Sequence, residues 1–319
     1  MGVGLEGVNS RWISTASLVL AMMLWASSFI VLKLAFRSYD PMVVIFGRMS
    51  VAALAFLILG FRIRSIPYRP SDLKYIVFMT LCEPCLYFIF EAKAIQLTTA
   101  SQAGMISALL PLLVAIGARI FLKETLPFKT LSGFVLAVCG AVWLSIAGES
   151  SGYAPNPLMG NFLEFTAMLC ATGYIITLKN LTARYSPFLL TGFQALAGSV
   201  FYFPVLFLPS TDLPRHFDLS GVLAIVYLGL FISLGAYGLY NYGVSRIPAS
   251  RASAFVNLIP IFTVLLGWLI LGETFTLPQC LAAGMIILGV FISRFRSPVE
   301  NVKPRRPLKA NVVTPASRA

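Results

Sequence analysis

Charge is what this 319-residue sequence has least of: Asp, Glu, Lys and Arg make up 11% of it, less than half the quarter usual in soluble domains. That shortage, with 58% hydrophobic residues and a mean hydropathy of +0.85, excludes a soluble globular domain. Histidine is nearly absent too. The single one, His216, lies in "PSTDLPRHFDLS", and no two acidic residues form a metal-ligating motif, so an enzyme built on acid–base or metal chemistry is not expected. No glycine-rich phosphate loop is present, and no cofactor is implied. The five cysteines (Cys82, Cys85, Cys139, Cys170, Cys280) fall inside apolar runs and read as small buried hydrophobes rather than a disulfide framework. Cys82 and Cys85 form a CxxC without the second pair or histidines that a metal site needs. The net charge of +12 does not indicate nucleic acid, because the basic residues sit in gaps between apolar runs.

Those apolar runs are what the sequence has in abundance. A hydrocarbon core about 30 Å thick takes roughly 20 helical residues to cross, and lipid admits only structures that satisfy their own backbone polar groups. Ten runs qualify: 14–36, 41–60, 72–92, 99–121, 127–147, 158–179, 188–209, 219–243, 249–271 and 276–294. The predicted fold is an all-α integral membrane protein of ten transmembrane helices. The first run is too long, and lacks the small-residue cleavage site, for a removed signal peptide. Beyond it, 295–319 is rich in Pro, Lys and Arg and reads as a basic, disordered tail. With the N-terminal segment 1–13 in the cytoplasm, 19 of the 24 Lys and Arg fall on the cytoplasmic side, four on the other, and Arg48 within a span. Both termini are therefore expected in the cytoplasm, with a bacterial inner membrane as the expected location.

The chain also says some things twice. "LKET" at 122–125 returns as "LGET" at 271–274, and the same shift of 149 residues aligns Ala100 with Ala249, Ser101 with Ser250, Pro111 with Pro260 and Gly140 with Gly289. A shift of 146 pairs Lys33 with Lys179, Tyr39 with Tyr185 and Pro41 with Pro187. Two halves, 14–147 and 158–294, thus carry five spans each. Five is odd, so the second half enters the membrane from the opposite side. Inverted repeats of this kind typify secondary transporters with a site near the bilayer midplane.

Ten spans in two halves, each half ending in a small-residue/proline helix, Leu-x-Glu-Thr and a glycine-containing last helix, resemble the EamA family of the drug/metabolite transporter superfamily. The resemblance covers about 14–294. It implies a central cavity lined by the first four helices of each half, with the fifth and tenth peripheral, and a small-molecule substrate drawn from amino acids, amines, drugs, nucleotide precursors or other metabolites.

Ionisable residues deep in a membrane are costly and mark functional positions. Thr80, Glu83, Tyr87 and Glu91 recur at intervals of three and four, which places them on one helix face, with Glu83 near mid-span. Arg48 lies at a depth from which it could meet Glu83. Ser233, Tyr237, Tyr240 and Asn241 share a face of the eighth run, and Trp25, Ser28 and Tyr174 add ring and hydroxyl groups; together they suit an amphipathic solute carrying an amine. Asn257 belongs to the small or polar face of the ninth run. Pro84, Pro111 and Pro260 are hinge candidates, each freeing the carbonyl four residues earlier. Arg48, Glu83 and Glu91 align with Gln194, Ile232 and Tyr240 in the other half, and Glu164 aligns with Leu18, so the charges break the symmetry. Glu124 and Glu273 read as structural punctuation. The expected activity is secondary transport by alternating access, with proton coupling as one reading. The alternatives are a flippase for a lipid-linked headgroup and a non-transporting scaffold or sensor. Substrate, direction, coupling ion and the choice between monomer and homodimer stay open.

Overall fold

The structure, a computed structural model, describes residues 3–60, 69–122 and 128–293. Glu124 and the expected tail at 295–319 lie outside the described residues. The chain forms helices α1 (Val3–Ser38), α2 (Pro41–Gly60), α3 (Pro70–Leu97), α4 (Ala100–Phe121), α5 (Phe128–Ile146), α6 (Pro157–Leu181), α7 (Pro187–Val205), α8 (Leu219–Arg246), α9 (Ala249–Leu271) and α10 (Leu277–Ser293). Eight of them, α1 to α4 and α6 to α9, are long and apolar enough to cross a membrane; the apolar stretches Leu131–Ile146 and Leu277–Ile292 are shorter. Among the described residues there is no strand, only an isolated bridge from Ser151 to Ala154.

The bundle is apolar outside and polar inside. Leu57, Ile58, Val200, Trp268 and Leu269 are exposed, whereas Arg48, Glu83, Glu91, Glu164, Gln194 and Asn241 are buried. That inversion suits an integral membrane protein, since lipid tails take the outer face and polar groups must find partners within. Cys139 and Cys280 also face outward, contrary to the expectation that all five thiols are buried; Cys82 and Cys85 are enclosed.

Neighbour relations position the interior. α1 packs on α8 and α9, α6 packs on α3 and α4, and α2 lies against α7, α4 against α9, and α5 against α10. The α5–α10 contact is at backbone distance: a Cβ on Gly140 would stand 2.9 Å from the Ala282 carbonyl oxygen, and one on Gly289 2.6 Å from the Gly133 carbonyl oxygen. Without a hydrophobic force between helices in lipid, small residues of this kind let the backbones close up. The small face of α4 serves the same end, because a Cβ on Gly104 would meet Thr263 of α9 at 2.7 Å.

Four helices are interrupted, α8 by a π-helical stretch at Leu228–Ala236. In α4 and α9 the α-helix tightens to 3₁₀ at Ser107–Leu109 and Ala254–Leu258. The carbonyls of Ser107 and Val256, deprived of the N–H of Pro111 and Pro260, accept instead from the backbone N–H of Leu110 and Ile259. In α3 the break is wider: Glu83 is extended (φ −150°, ψ 116°) within a π-helical Leu81–Leu86, and the Glu83–Pro84 peptide is cis. Side chains of α7 meet the loosened backbone. Gln194 Nε2 donates to the Glu83 carbonyl at 3.3 Å, and the Tyr202 hydroxyl donates to the Cys85 carbonyl and, at 3.3 Å, to that of Pro84. Non-helical backbone survives at membrane depth only when protein satisfies it in this way.

Helix ends are tied by charge. Lys33 Nζ donates to the Ile95 carbonyl at the end of α3 at 2.7 Å, and Lys179 Nζ donates to the Val244 and Ile247 carbonyls at the end of α8, both at 2.8 Å. Such cations favour helix C-termini. Asp218 caps α8, accepting from the Ser220 N–H at 2.9 Å, and hydrogen bonds from Ser38 and Ser220 lower its carboxyl from 3.8 to about 2. Because the folded value lies below the ordinary one, this cap stabilises above that range and is lost only as the pH falls toward 2. Gln279 Oε1 accepts from the Thr276 N–H at 2.9 Å, so half of a capping box closes at the start of α10.

Glu273, in the second Leu-x-Glu-Thr, reaches across to α4, where its two oxygens accept from the N–H groups of Ala100 and Ser101 at 2.9 and 2.8 Å. Replacing it with alanine leaves two helix N-terminal donors unmet. A loss of about 1–2 kcal/mol is expected, measured as thermal unfolding in detergent; Glu273→Gln, which keeps an acceptor, is expected to lose less. Equal stability of wild type and Glu273→Ala would refute the cap.

Candidate functional site

The inner faces of α1, α2, α3, α4, α6, α8 and α9 enclose a cavity of about 40 Å³ lined by Trp25, Arg48, Glu83, Tyr87, Glu91, Tyr174 and Tyr237 among others. A volume of that size admits waters, not an organic molecule, for which pockets run to about 300–1,000 Å³. Entry of a solute therefore requires helices to separate.

The break in α3 determines where its carboxylates point. Glu83 Oε1 accepts from the Tyr237 hydroxyl of α8, while Oε2 is enclosed without a partner among the described residues. Arg48, with 1% of its surface exposed, does not meet Glu83. Its Nη1 stands 3.9 Å from Glu91 Oε2, its Nε donates to Ser233 Oγ at 2.9 Å, and its guanidinium lies 4.2 Å from the centroid of the Phe88 ring. This corrects the expected Arg48–Glu83 pairing. Arg48 sits seven residues inside the start of α2 and Glu91 six residues before the end of α3, about 10 and 9 Å along their helices, so those two share a level. Glu83 lies two turns deeper. Glu91 Oε1 also accepts from the Tyr87 hydroxyl at 3.0 Å. Thr80, on the far side of the break, donates back to the Ile76 carbonyl at 3.0 Å rather than joining the cavity.

Aromatic rings close the remaining wall. Trp25 packs edge-on to Tyr237 at 5.1 Å between centroids and tilted on Tyr240 at 4.8 Å; Tyr174 and Phe88 meet Tyr237 at 6.2 and 6.4 Å. Tyr240 is wholly buried behind this cluster. Asn241 also lies behind the wall: its amide donates to Thr191 Oγ1 at 2.9 Å and Gln194 Oε1 at 3.1 Å and accepts from the Tyr174 hydroxyl. Through Gln194 this network joins α6, α8 and α7 to the broken backbone at Glu83. Asn257 stands apart from the cavity, its amide atoms enclosed without a hydrogen-bond partner among the described residues. Pro111 and Pro260 follow the 3₁₀ turns of α4 and α9, and Pro84 sits in the break of α3.

Three contributors escaped the sequence reading of the site. Gln194 could have been found, since it aligns with Arg48; Tyr202 carried no signal beyond being one more aromatic. Glu164 was visible as a charge without a counterpart, but nothing in its spacing said what it faces.

The profile of the EamA-like transporter family matches residues 12–146 and again 158–295. The chain belongs to that family. It is 30% identical over 287 residues to the uncharacterized transporter YetK of Bacillus subtilis (strain 168), spanning 87% of this chain and 85% of that one. It is 28% identical over 285 residues to an uncharacterized transporter of Archaeoglobus fulgidus, spanning 88% and 98%. At 25% identity over 285 residues it is similar to the "Probable terminal-alkyne amino-acid exporter" of Streptantibioticus cattleyicolor, spanning 88% and 93%. A crystal structure of a protein 19% identical superposes with a TM-score of 0.63 over 88% of this chain and 96% of the other, a likeness of fold. This EamA-family protein is accordingly a membrane transporter, and its small-molecule substrate and lipid surroundings follow from the family.

Proposed function

We propose that the protein is a secondary transporter of small organic metabolites bearing a cationic group, built as two inverted five-helix repeats (14–147 and 158–294) of ten membrane spans, with both termini in the cytoplasm of a bacterial inner membrane. The observation that carries the reading is the cavity: charged, aromatic, too small for a solute as it stands, and interior to a bundle whose exterior is apolar. Exchange of the two halves supports the repeat, because the pairs α1–α8 and α6–α3 swap into one another, as do α1–α9 and α6–α4. Lys33 and Lys179, aligned in sequence, cap the third helix of their own halves. The family profile matching twice supports the same division. Near-symmetry gives the inward-open and outward-open packings similar energies, which makes alternating access inexpensive.

Within the cavity Arg48 is taken by Glu91, whereas Glu83 keeps an unpartnered oxygen beside a ring cluster. An ammonium group suits that place through charge and cation–π attraction. The exporter-named relative supports a solute with an amino group. Nothing in the chain binds a nucleotide triphosphate by a recognised loop, so an ion gradient, exchange or the solute's own gradient supplies the drive, with Glu83 as the coupling carboxylate.

Purified protein screened by thermal unfolding against amino acids, amines, nucleosides and sugars is expected to be stabilised by an amine or amino acid, about 2.7 kcal/mol at a hundredfold excess over Kd. The same solute is expected to exchange across proteoliposomes. Absence of solute flux, with phospholipid scrambling in its place, would favour the flippase. That reading has one structural feature to use, a lateral groove of about 500 Å³ between α1 and α8 lined by Val31, Leu34, Arg37, Leu223 and Tyr227, but none of the cavity's carboxylates reaches it.

A further inference from the structure

We propose that Glu164 is a proton-binding site separate from Glu83 and from the Arg48–Glu91 pair. Glu164 lies on α6, seven residues inside Pro157, about 10 Å along the helix and level with Arg48 and Glu91. It has no exposed surface, and both carboxyl oxygens are enclosed without a hydrogen-bond partner among the described residues. Glu91 and Tyr87, both from α3, are the ionisable groups coupled to it electrostatically. α4 and α5, which also pack on α6, bring no acidic or basic residue within 100–118 or 131–146, and α8 brings none within 219–245. Arg251 of α9 is exposed near that helix's start. The nearby cations are occupied: Lys33 by the carbonyls at the end of α3, Arg48 by Glu91 and Ser233.

Of the three buried carboxylates, only Glu91 has the Arg48 guanidinium beside it. An ionised carboxylate with no donor in a dry interior is so unfavourable that the group neutralises instead, and Glu164 is the member of the set with neither donor nor cation. Its counterpart in the other half is Leu18, wholly buried, so an apolar side chain satisfies the packing at this position and the carboxyl is not there to hold the fold.

Whether this proton serves transport rests on the transporter reading; the site itself does not. Infrared difference spectra of the full chain in liposomes, taken on stepping the pH, test the site. A carboxylic-acid carbonyl band is expected at neutral pH in wild type and in Glu83→Gln, and lost in both Glu164→Gln and Glu164→Leu. The same band in wild type and both Glu164 variants would overturn the proposal. Pyranine-loaded liposomes given the amine or amino acid found to stabilise the protein test the coupling: slower solute-driven proton movement in Glu164→Gln is expected, and wild-type movement with wild-type pH dependence would overturn a role for Glu164 in it. Loss of the band with no solute flux in wild type would uphold the site and defeat the transporter reading.

Discussion

Arg48→Leu is expected to destabilise the protein by about 3–5 kcal/mol, the usual effect of leaving one member of a buried ion pair without its partner. Glu91 would keep only the Tyr87 hydroxyl, Ser233 would lose the Nε–H it accepts at 2.9 Å, and the Phe88 ring would lose its cation. The double variant Arg48→Leu with Glu91→Leu is expected to recover most of that loss, since well-packed apolar residues often replace a buried pair at little or no cost. Transport is not expected to return with stability. Thermal unfolding in detergent reads the first two effects and solute flux in proteoliposomes the third. A double variant no more stable than Arg48→Leu would show that the 3.9 Å contact is incidental and that Arg48 is held by Ser233 and Phe88 alone.

Glu83→Gln is expected to slow transport about tenfold or more, equivalent to about 1.4 kcal/mol, and to flatten its pH dependence. The substitution is informative because glutamine keeps an Oε1 that can accept from Tyr237. The tie between α3 and α8 is retained while the charge is removed, and the Glu83 backbone remains held by Gln194. Thermal unfolding close to wild type is therefore expected beside the kinetic loss. Flux and pH profile equal to wild type, at equal amounts of reconstituted protein, would remove Glu83 from the coupling role.

Which residues lie inside was largely legible. Arg48, Glu83, Glu91 and Asn241 had to turn inward because lipid offers them no partner, and the helices could be bounded within a few residues because a membrane span has a required length. Which of them meet was not legible. Depth along a regular helix sets Arg48 level with Glu91 and Glu83 two turns deeper, but names no partner for Glu83; the extended backbone there leaves that side chain to Tyr237. Asn257 shows the opposite error: an amide on a small-residue face reads as cavity wall, yet its neighbours Val256 and Ile259 line the cavity while its own amide is enclosed apart from it.

Composition and periodicity by themselves determined that the chain is helical, that it lives in a membrane, and that its halves share a pattern. Each follows from a property that every residue carries locally: apolarity, helical spacing, or a matching residue in the other half. Tertiary structure alone decided that Glu273 caps a helix 173 residues earlier in the chain and that Gln194 and Tyr202 hold open the break in α3. Those are contacts between helices, and helical spacing specifies a face without specifying the neighbour it meets.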